Sequence, residues 1–303
     1  VAKHLIINAD DLGICESTNR AIEKAFREGV VTSASVMANM PSLEHALEHV
    51  VRPHPPLGIG FHFCLTSGRP VSPPADVPLL VDARGRFRHG FGGLLRMILS
   101  RRSEALPQIE AEFKAQLGRL DSLGVVLDHV DSHQHIHMIP PIFRMVEATA
   151  SARQLAIRLS DERLPRKLGR WLGALHPIIQ GGLAKKIILS HYSHVAIARG
   201  IDASYPRYYY GILETGHMDL AAIARIVREL PDGVAELNIH PGLGPELLDE
   251  VSLECSEEDR QFLARPARVR ELEALLSPKT RTLLNDSGIG LVKFRDPPLM
   301  GAT

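Results

Sequence analysis

The chain has 303 residues, 45% hydrophobic and 23% charged, with 24 Gly and 21 Pro. That composition excludes a disordered tail, a collagen-like chain and a coiled coil. Lys plus Arg and Asp plus Glu are 35 each, so a global attraction for nucleic acid is not expected.

The elements alternate between strand and helix. Residues 4–9 (HLIINA) read as a buried strand running into Asp10 and Asp11, and 16–28 as an amphipathic helix. A β-branched strand over 30–39, a helix over 42–51 and a strand over 57–63 follow. Residues 64–104 read as irregular, 105–122 as a helix, 127–133 as a strand, 141–153 as a helix and 156–160 as a strand. Beyond 161–217, which is harder to read, come a helix over 218–229, a strand over 233–240, a helix over 257–276 and a closing strand over 289–294. Strand–helix alternation predicts a parallel sheet. Seven or eight such units without a composition break predict one domain closed or nearly closed into a barrel; an open doubly wound sheet is the alternative.

Cys15, Cys64 and Cys255 are far apart, with no CxxC pair. They argue against a disulfide scaffold or thiolate zinc site and for a reducing, cytoplasmic setting. No apolar run reaches the roughly 18 residues a membrane span needs, and no leader pattern opens the sequence.

In parallel α/β folds the chemistry lies at the carboxyl ends of the strands, and the unusual polar residues fall there. Asp10 and Asp11 end the first strand, and His62 lies near the end of the third. Asp131, His133, His135 and His137 lie at and beyond the fourth, Arg158 is in the fifth, and His240 ends a late strand. Adjacent residues on an extended backbone point to opposite sides, so Asp10 and Asp11 are expected to do different jobs. On extended backbone 131, 133, 135 and 137 would share one face; buried imidazoles in a row need a metal or a proton relay. Against this stand plainer readings: a carboxylate capping the next helix, His62 as a core histidine, and a solvated histidine loop. One carboxylate and two imidazoles would suit Zn²⁺ or another divalent transition metal better than Mg²⁺, and these residue types suit metal-assisted hydrolysis.

The segments NADDLG (8–13), GFHFCLTSGRPV (60–71), HVDSHQHIHMIP (129–140), IR (157–158) and NIHPGLG (238–244) resemble the YdjC-like carbohydrate deacetylases. The resemblance runs over nearly the whole chain, to GLVKFRD at 290–296. The tract 75–88 looks more like the hopanoid-biosynthesis-associated branch than the chitooligosaccharide branch. The resemblance implies a distorted (β/α) barrel, TIM-like, with one divalent metal, Zn²⁺ or Mg²⁺, and removal of an N-acetyl group from an amino sugar. It implies Asp11, His62 and His133 as metal ligands, Asp10 as general base and His240 as general acid. Arg158 would orient a carboxylate or contact substrate. His135 and His137 would support the site from behind or meet substrate. Asn39, at the end of the second strand, could touch substrate or form a turn. A homodimer is compatible with the resemblance.

Residues 161–217 read as a helical insertion with no clear counterpart in the shorter chitooligosaccharide branch. Between 163 and 201 stand seven basic residues (Arg163, Arg166, Lys167, Arg170, Lys185, Lys186 and Arg199) and no acidic one, with apolar residues interspersed. Such a stretch could lie on an anionic membrane or grip a lipid tail, or simply pack on the barrel with its long stems over apolar surface. The Tyr208–Tyr210 run reads as a partly exposed cleft wall. Alternative functions are a metal phosphoesterase, which would want more carboxylates, and a non-catalytic glycan or lipid-headgroup binding barrel.

Overall fold

The computed structural model describes residues 2–162, 182–244 and 254–296. Among these residues eight strands carry the fold: β1 (Lys3–Leu12), β2 (Ser33–Val36), β3 (Gly58–Phe63), β4 (His129–Ser132), β5 (Ala156–Ile157), β6 (Tyr208–Tyr210), β7 (Gly233–Ile239) and β8 (Ile289–Leu291). All pair in parallel, in the order β5-β4-β3-β2-β1-β7-β6. Along one edge β1 pairs with β7 from Lys3 to Ala9; β8 (at Lys3–Leu5) and β2 (at Asn8–Leu12) also pair with it. The sheet curls into an open, distorted barrel. A single bridge, Glu162 to Tyr209, and an Ile157 N–H bond to the Ser204 carbonyl link the β5 and β6 sides.

The helices are α1 (Glu16–Arg27), α2 (Leu43–Ala46, continued by a π turn Leu47–Val51), α3 (Phe91–Ser100), α4 (Arg102–Ser122) and α5 (Pro140–Arg153). After them come α6 (Gly182–Ala198), α7 (Leu220–Glu229), α8 (Glu257–Leu263), α9 (Ala267–Leu276) and α10 (Pro278–Asp286). In α1 the apolar period works as expected. Ala21, Ile22 and Ala25 are buried, while Arg20–Glu16 and Arg27–Glu23 pair along the exposed side.

Several elements differ from the sequence reading. Residues 91–100, read as irregular, are helical, because Leu94, Met97 and Ile98 supply a buried stripe. The helix expected over 257–276 is two, α8 and α9, parted before Pro266, where the ring removes a backbone donor. Tyr208–Tyr210 are not a cleft wall; they form β6 and are buried. Residues 163–181 hold Arg163, Arg166, Lys167 and Arg170 and lie outside the described residues. The rest of 161–217 contains α6 and β6. Among the described residues no helix is long and apolar enough to cross a membrane.

Gly60 shows how tightly the barrel is built behind its site. It is registered opposite His129 across β3 and β4, and a Cβ there would come within 2.1 Å of the His129 ring. The ring cannot retreat. Nδ1 is 2.6 Å from Asp128, Nε2 is 3.0 Å from the Ser35 hydroxyl, and Phe294 stacks on it at 3.8 Å. Gly60→Ala is expected to destabilise by at least the ~1–3 kcal/mol typical of core overpacking, read as a lower urea midpoint. An unchanged midpoint would contradict this packing.

Candidate functional site

The sequence expectation that Asp10 and Asp11 face opposite ways is overturned. The β1–β2 register shifts between Ala9 and Leu12, and Asp11 adopts a left-handed backbone, φ 69°. That irregularity turns both carboxylates into one cavity of about 220 Å³ at the carboxyl ends of the strands. His62, His133 and His240 line the same cavity. Non-glycine residues in this region are uncommon, and such backbone strain clusters at active sites.

The expected row of imidazoles is also corrected. The strand ends at Ser132, and His133–Met138 form a 3₁₀ turn with Gln134 and His135 in left-handed backbone. The turn scatters the histidines. His133 points to Asp11. His135, also on the cavity wall, bonds the Ser160 hydroxyl at 2.8 Å. His137 is buried, between the Ser132 hydroxyl at 2.6 Å and the Arg158 carbonyl at 3.0 Å, and burial pushes its pKa down to about 4. Asn39 donates to the carbonyls of Ser67 and Arg69 and ties two loops together.

One oxygen or nitrogen each from Asp11, His62 and His133 lie within 4.8 Å of one another. His62 Nε2 is 3.5 Å and His133 Nδ1 is 3.0 Å from Asp11 Oδ1. The far nitrogen of each ring meets another carboxylate: His62 Nδ1 lies 2.7 Å from Asp131 and His133 Nε2 lies 2.9 Å from Asp259. Two imidazoles backed by carboxylates, plus one carboxylate, are a donor set that fits a divalent metal. Burial raises the Asp11 pKa, but the facing imidazoles outweigh it and hold the carboxyl well below its ordinary value.

Arg158 is fully buried behind Asp10. It donates from Nη1 and Nη2 to the two Asp10 oxygens at 2.9 and 2.8 Å, and from Nε to Glu236 at 2.7 Å. Nη2 is also 2.7 Å from Asp131. Asn8 donates to Asp10 and to Ser35, and Ser35 donates to Asp131. Asp10 is thus held rigidly, with one face left to the cavity. His240 Nε2 stands 3.9 Å from Asp10 Oδ2. Its backbone N–H donates to Glu271 and its carbonyl accepts from Arg268. Burial pushes the imidazole pKa down to about 4, which favours the neutral ring.

Sequence reasoning missed two acids. Glu236 looked like any strand residue. A lone carboxylate in the apolar run GVAELNI was the available signal, since such a group is rarely buried without a partner. Burial pushes its pKa up to about 7, even beside Arg158. Asp259 gave no signal, because α8 opens with three consecutive acids and reads as solvated.

A family model described as YdjC-like protein matches residues 4–286. A carbohydrate deacetylase of Brevibacillus brevis is 35% identical over 295 residues, covering 96% of this chain and 98% of that protein. A chitooligosaccharide deacetylase of Yersinia enterocolitica is 38% identical over 162 residues, 52% of this chain and 59% of that one. A crystal structure of a protein ascribed to cellobiose-phosphate cleavage in Enterococcus faecalis V583 superposes with a TM-score of 0.72 at 26% identity, covering 97% of this chain and 98% of that chain. With the cavity, the donor set and these similarities together, the chain belongs to the YdjC-like carbohydrate deacetylase family.

Proposed function

We propose that the protein is a metal-dependent hydrolase that removes an N-acetyl group from an amino sugar. The observation that carries this reading is the convergence of Asp11, His62 and His133 in the cavity that Asp10 and His240 also line. Asp11, His62 and His133 would hold the ion, and the donor set favours Zn²⁺ over Mg²⁺. When bound, the ion supplies Lewis acidity toward water and the acetyl carbonyl. Asp10, aimed by the Arg158 fork, takes the proton of the attacking water. The water oxygen bonds to the acetyl carbon and the C–N bond breaks, giving acetate and a free amine. His240 carries the proton to the departing nitrogen; a group neutral at rest must first gain that proton during the reaction.

A two-metal phosphoesterase is disfavoured. The second group of converging donors, Asp10, His62 and Asp131, shares His62 with the first, and Arg158 already lies against both of its carboxylates.

Metal uptake carries a pH signature. Burial lowers the His62 pKa, but Asp131 and Asp10 outweigh it and raise it from 6.5 to about 9 in the metal-free protein. A raised folded pKa stabilises that form below about pH 6.5, and the contribution is lost as pH rises toward about 9. Binding must expel the proton, so Zn²⁺ affinity is expected to climb across the same window. Competition titration with a chelating dye reads this directly; a flat profile would contradict it.

The substrate is tested by acetate release from N-acetylglucosaminyl lipids, N,N′-diacetylchitobiose and free N-acetylglucosamine. Release from the lipid-linked sugar alone would support the hopanoid-associated branch and lipid contact by the basic stretch. Release from the soluble sugars would place the protein with the oligosaccharide enzymes. No release from any of them, with metal bound, would remove the amino-sugar reading.

A further inference from the structure

We infer that Asp259 is a positioning residue that fixes which nitrogen His133 offers to the metal, an inference that rests on the ligand set proposed above. Asp259 is buried, and its carboxylate is fully committed. Oδ1 faces His133 Nε2 at 2.9 Å, Oδ2 accepts from the Ser256 hydroxyl at 2.6 Å, and the Ser67 hydroxyl also bonds the group. Ser256 caps α8 by accepting from the Asp259 backbone N–H at 3.1 Å, and its own N–H donates to Ser67 at 3.0 Å. The carboxylate is therefore anchored by two segments before it meets the imidazole.

A carboxylate oxygen only accepts, so Nε2 must carry a hydrogen toward Asp259. With Nε2–H committed to Asp259, Nδ1 is the nitrogen left to give up its proton and offer a lone pair to an ion. That nitrogen is on the side where Asp11 and His62 converge, 3.0 Å from Asp11 Oδ1. Among the described residues Asp259 belongs to no group of converging metal donors, so it acts through His133. His62 is arranged in the opposite sense: Asp131 holds Nδ1, and Nε2 is offered. The two imidazoles thus present different nitrogens because their backing carboxylates hold different ones, Nδ1 of His62 and Nε2 of His133. Asp131 sits two residues before His133 on β4, whereas Asp259 arrives from α8, 126 residues further on.

α8 makes further contacts with the site. Glu258 accepts from Gln134 in the turn that carries His133, and the Phe262 ring meets the His240 ring edge-on at 5.2 Å. The helix is a brace for the ligand-bearing turn, and Asp259 is its point of contact with the ligand itself.

The test is Zn²⁺ affinity of the metal-free full chain, by competition with a chelating dye, for the parent, Asp259→Ala, Asp259→Asn and His133→Ala. Loss of a carboxylate behind a ligating histidine typically costs ~10–100-fold in metal affinity, and that is the loss expected for Asp259→Ala. Asp259→Asn, which keeps the shape and one acceptor oxygen, should recover part of it. The Co²⁺-substituted visible spectrum should shift in both, which a purely structural role would not produce. An Asp259→Ala affinity within about twofold of the parent, while His133→Ala loses metal, would overturn the inference and leave the ligand set standing. If His133→Ala binds Zn²⁺ like the parent, the ligand set itself is wrong. Should Asp259→Ala fail to fold, the Asn variant alone decides, by affinity and spectrum.

Discussion

Asp10→Asn and His240→Ala each lower kcat by about 10²–10⁴-fold, the range for losing a positioned acid or base, while metal content stays at the parent level. Neither residue belongs to the Asp11–His62–His133 set, so the ion should remain. The two side chains face each other at 3.9 Å, and in the proposed mechanism they hand on one proton. Their losses should therefore not add: the double variant should be little worse than the poorer single one. Steady-state acetate release with metal quantified in the same samples checks this. Full kcat in both single variants would show that the proton moves by another route.

Arg158→Met is expected to destabilise the fold by roughly 3–5 kcal/mol, the cost of stripping the partner from buried charge. Among the described residues the guanidinium is the one cation in contact with Asp10, Asp131 and Glu236 together, and all four groups are buried. Removing it leaves three carboxylates packed in one place. Glu236 can relieve part of the strain by keeping its proton, since burial already pushes its pKa up to about 7. Asp131 cannot do so easily. In the parent, burial works against its ionised form, but Arg158 and then His62 outweigh that and hold its pKa far below the ordinary value; the variant loses Arg158 and keeps the carboxylate in contact with His62. Arg158→Lys should rescue little, because one ammonium cannot reproduce a fork bonded to both oxygens of Asp10 and to Glu236. Urea unfolding measures the loss. A change under about 1 kcal/mol in Arg158→Met would mean that the network is not held together by this charge.

These effects explain which parts of the site the sequence could reveal. Asp10, Asp11, His62, His133 and His240 were legible because a parallel barrel puts strand ends in one place, and a polar residue ending an apolar run is conspicuous. Their mutual arrangement was not. It depends on the left-handed backbone at Asp11, Gln134 and His135; Asp and His enter that region more often than most residues, yet in only a few per cent of cases, too rarely for a sequence to announce it. The expected shared face of 131, 133, 135 and 137 failed for this reason: the alternating period continues past Ser132, although the chain turns there. Asp259 was hidden for another reason. Its neighbours Glu257 and Glu258 are ordinary exposed acids, and only the arrival of α8 against His133 distinguishes the third. The strand at Tyr208–Tyr210 was missed because three aromatic residues between loops fit a cleft wall as well as a short buried strand, and only pairing with β7 decides between them.

The barrel itself was more legible. β1, β3 and β7 are buried, apolar runs ending in functional residues, as strands covered on both faces should be. The resemblance implied the distortion; what no local pattern specified is its form, in which β8 and β2 both pair with β1, at different positions along it.

The most direct measurement is acetate release from an N-acetylated amino sugar by the metal-stripped protein, before and after addition of Zn²⁺, with Asp11→Ala alongside. One-metal amide hydrolysis predicts no release without metal, release that saturates near one ion per chain, and none from Asp11→Ala at any metal level. Undiminished release from the stripped protein, or full activity in Asp11→Ala, would contradict it.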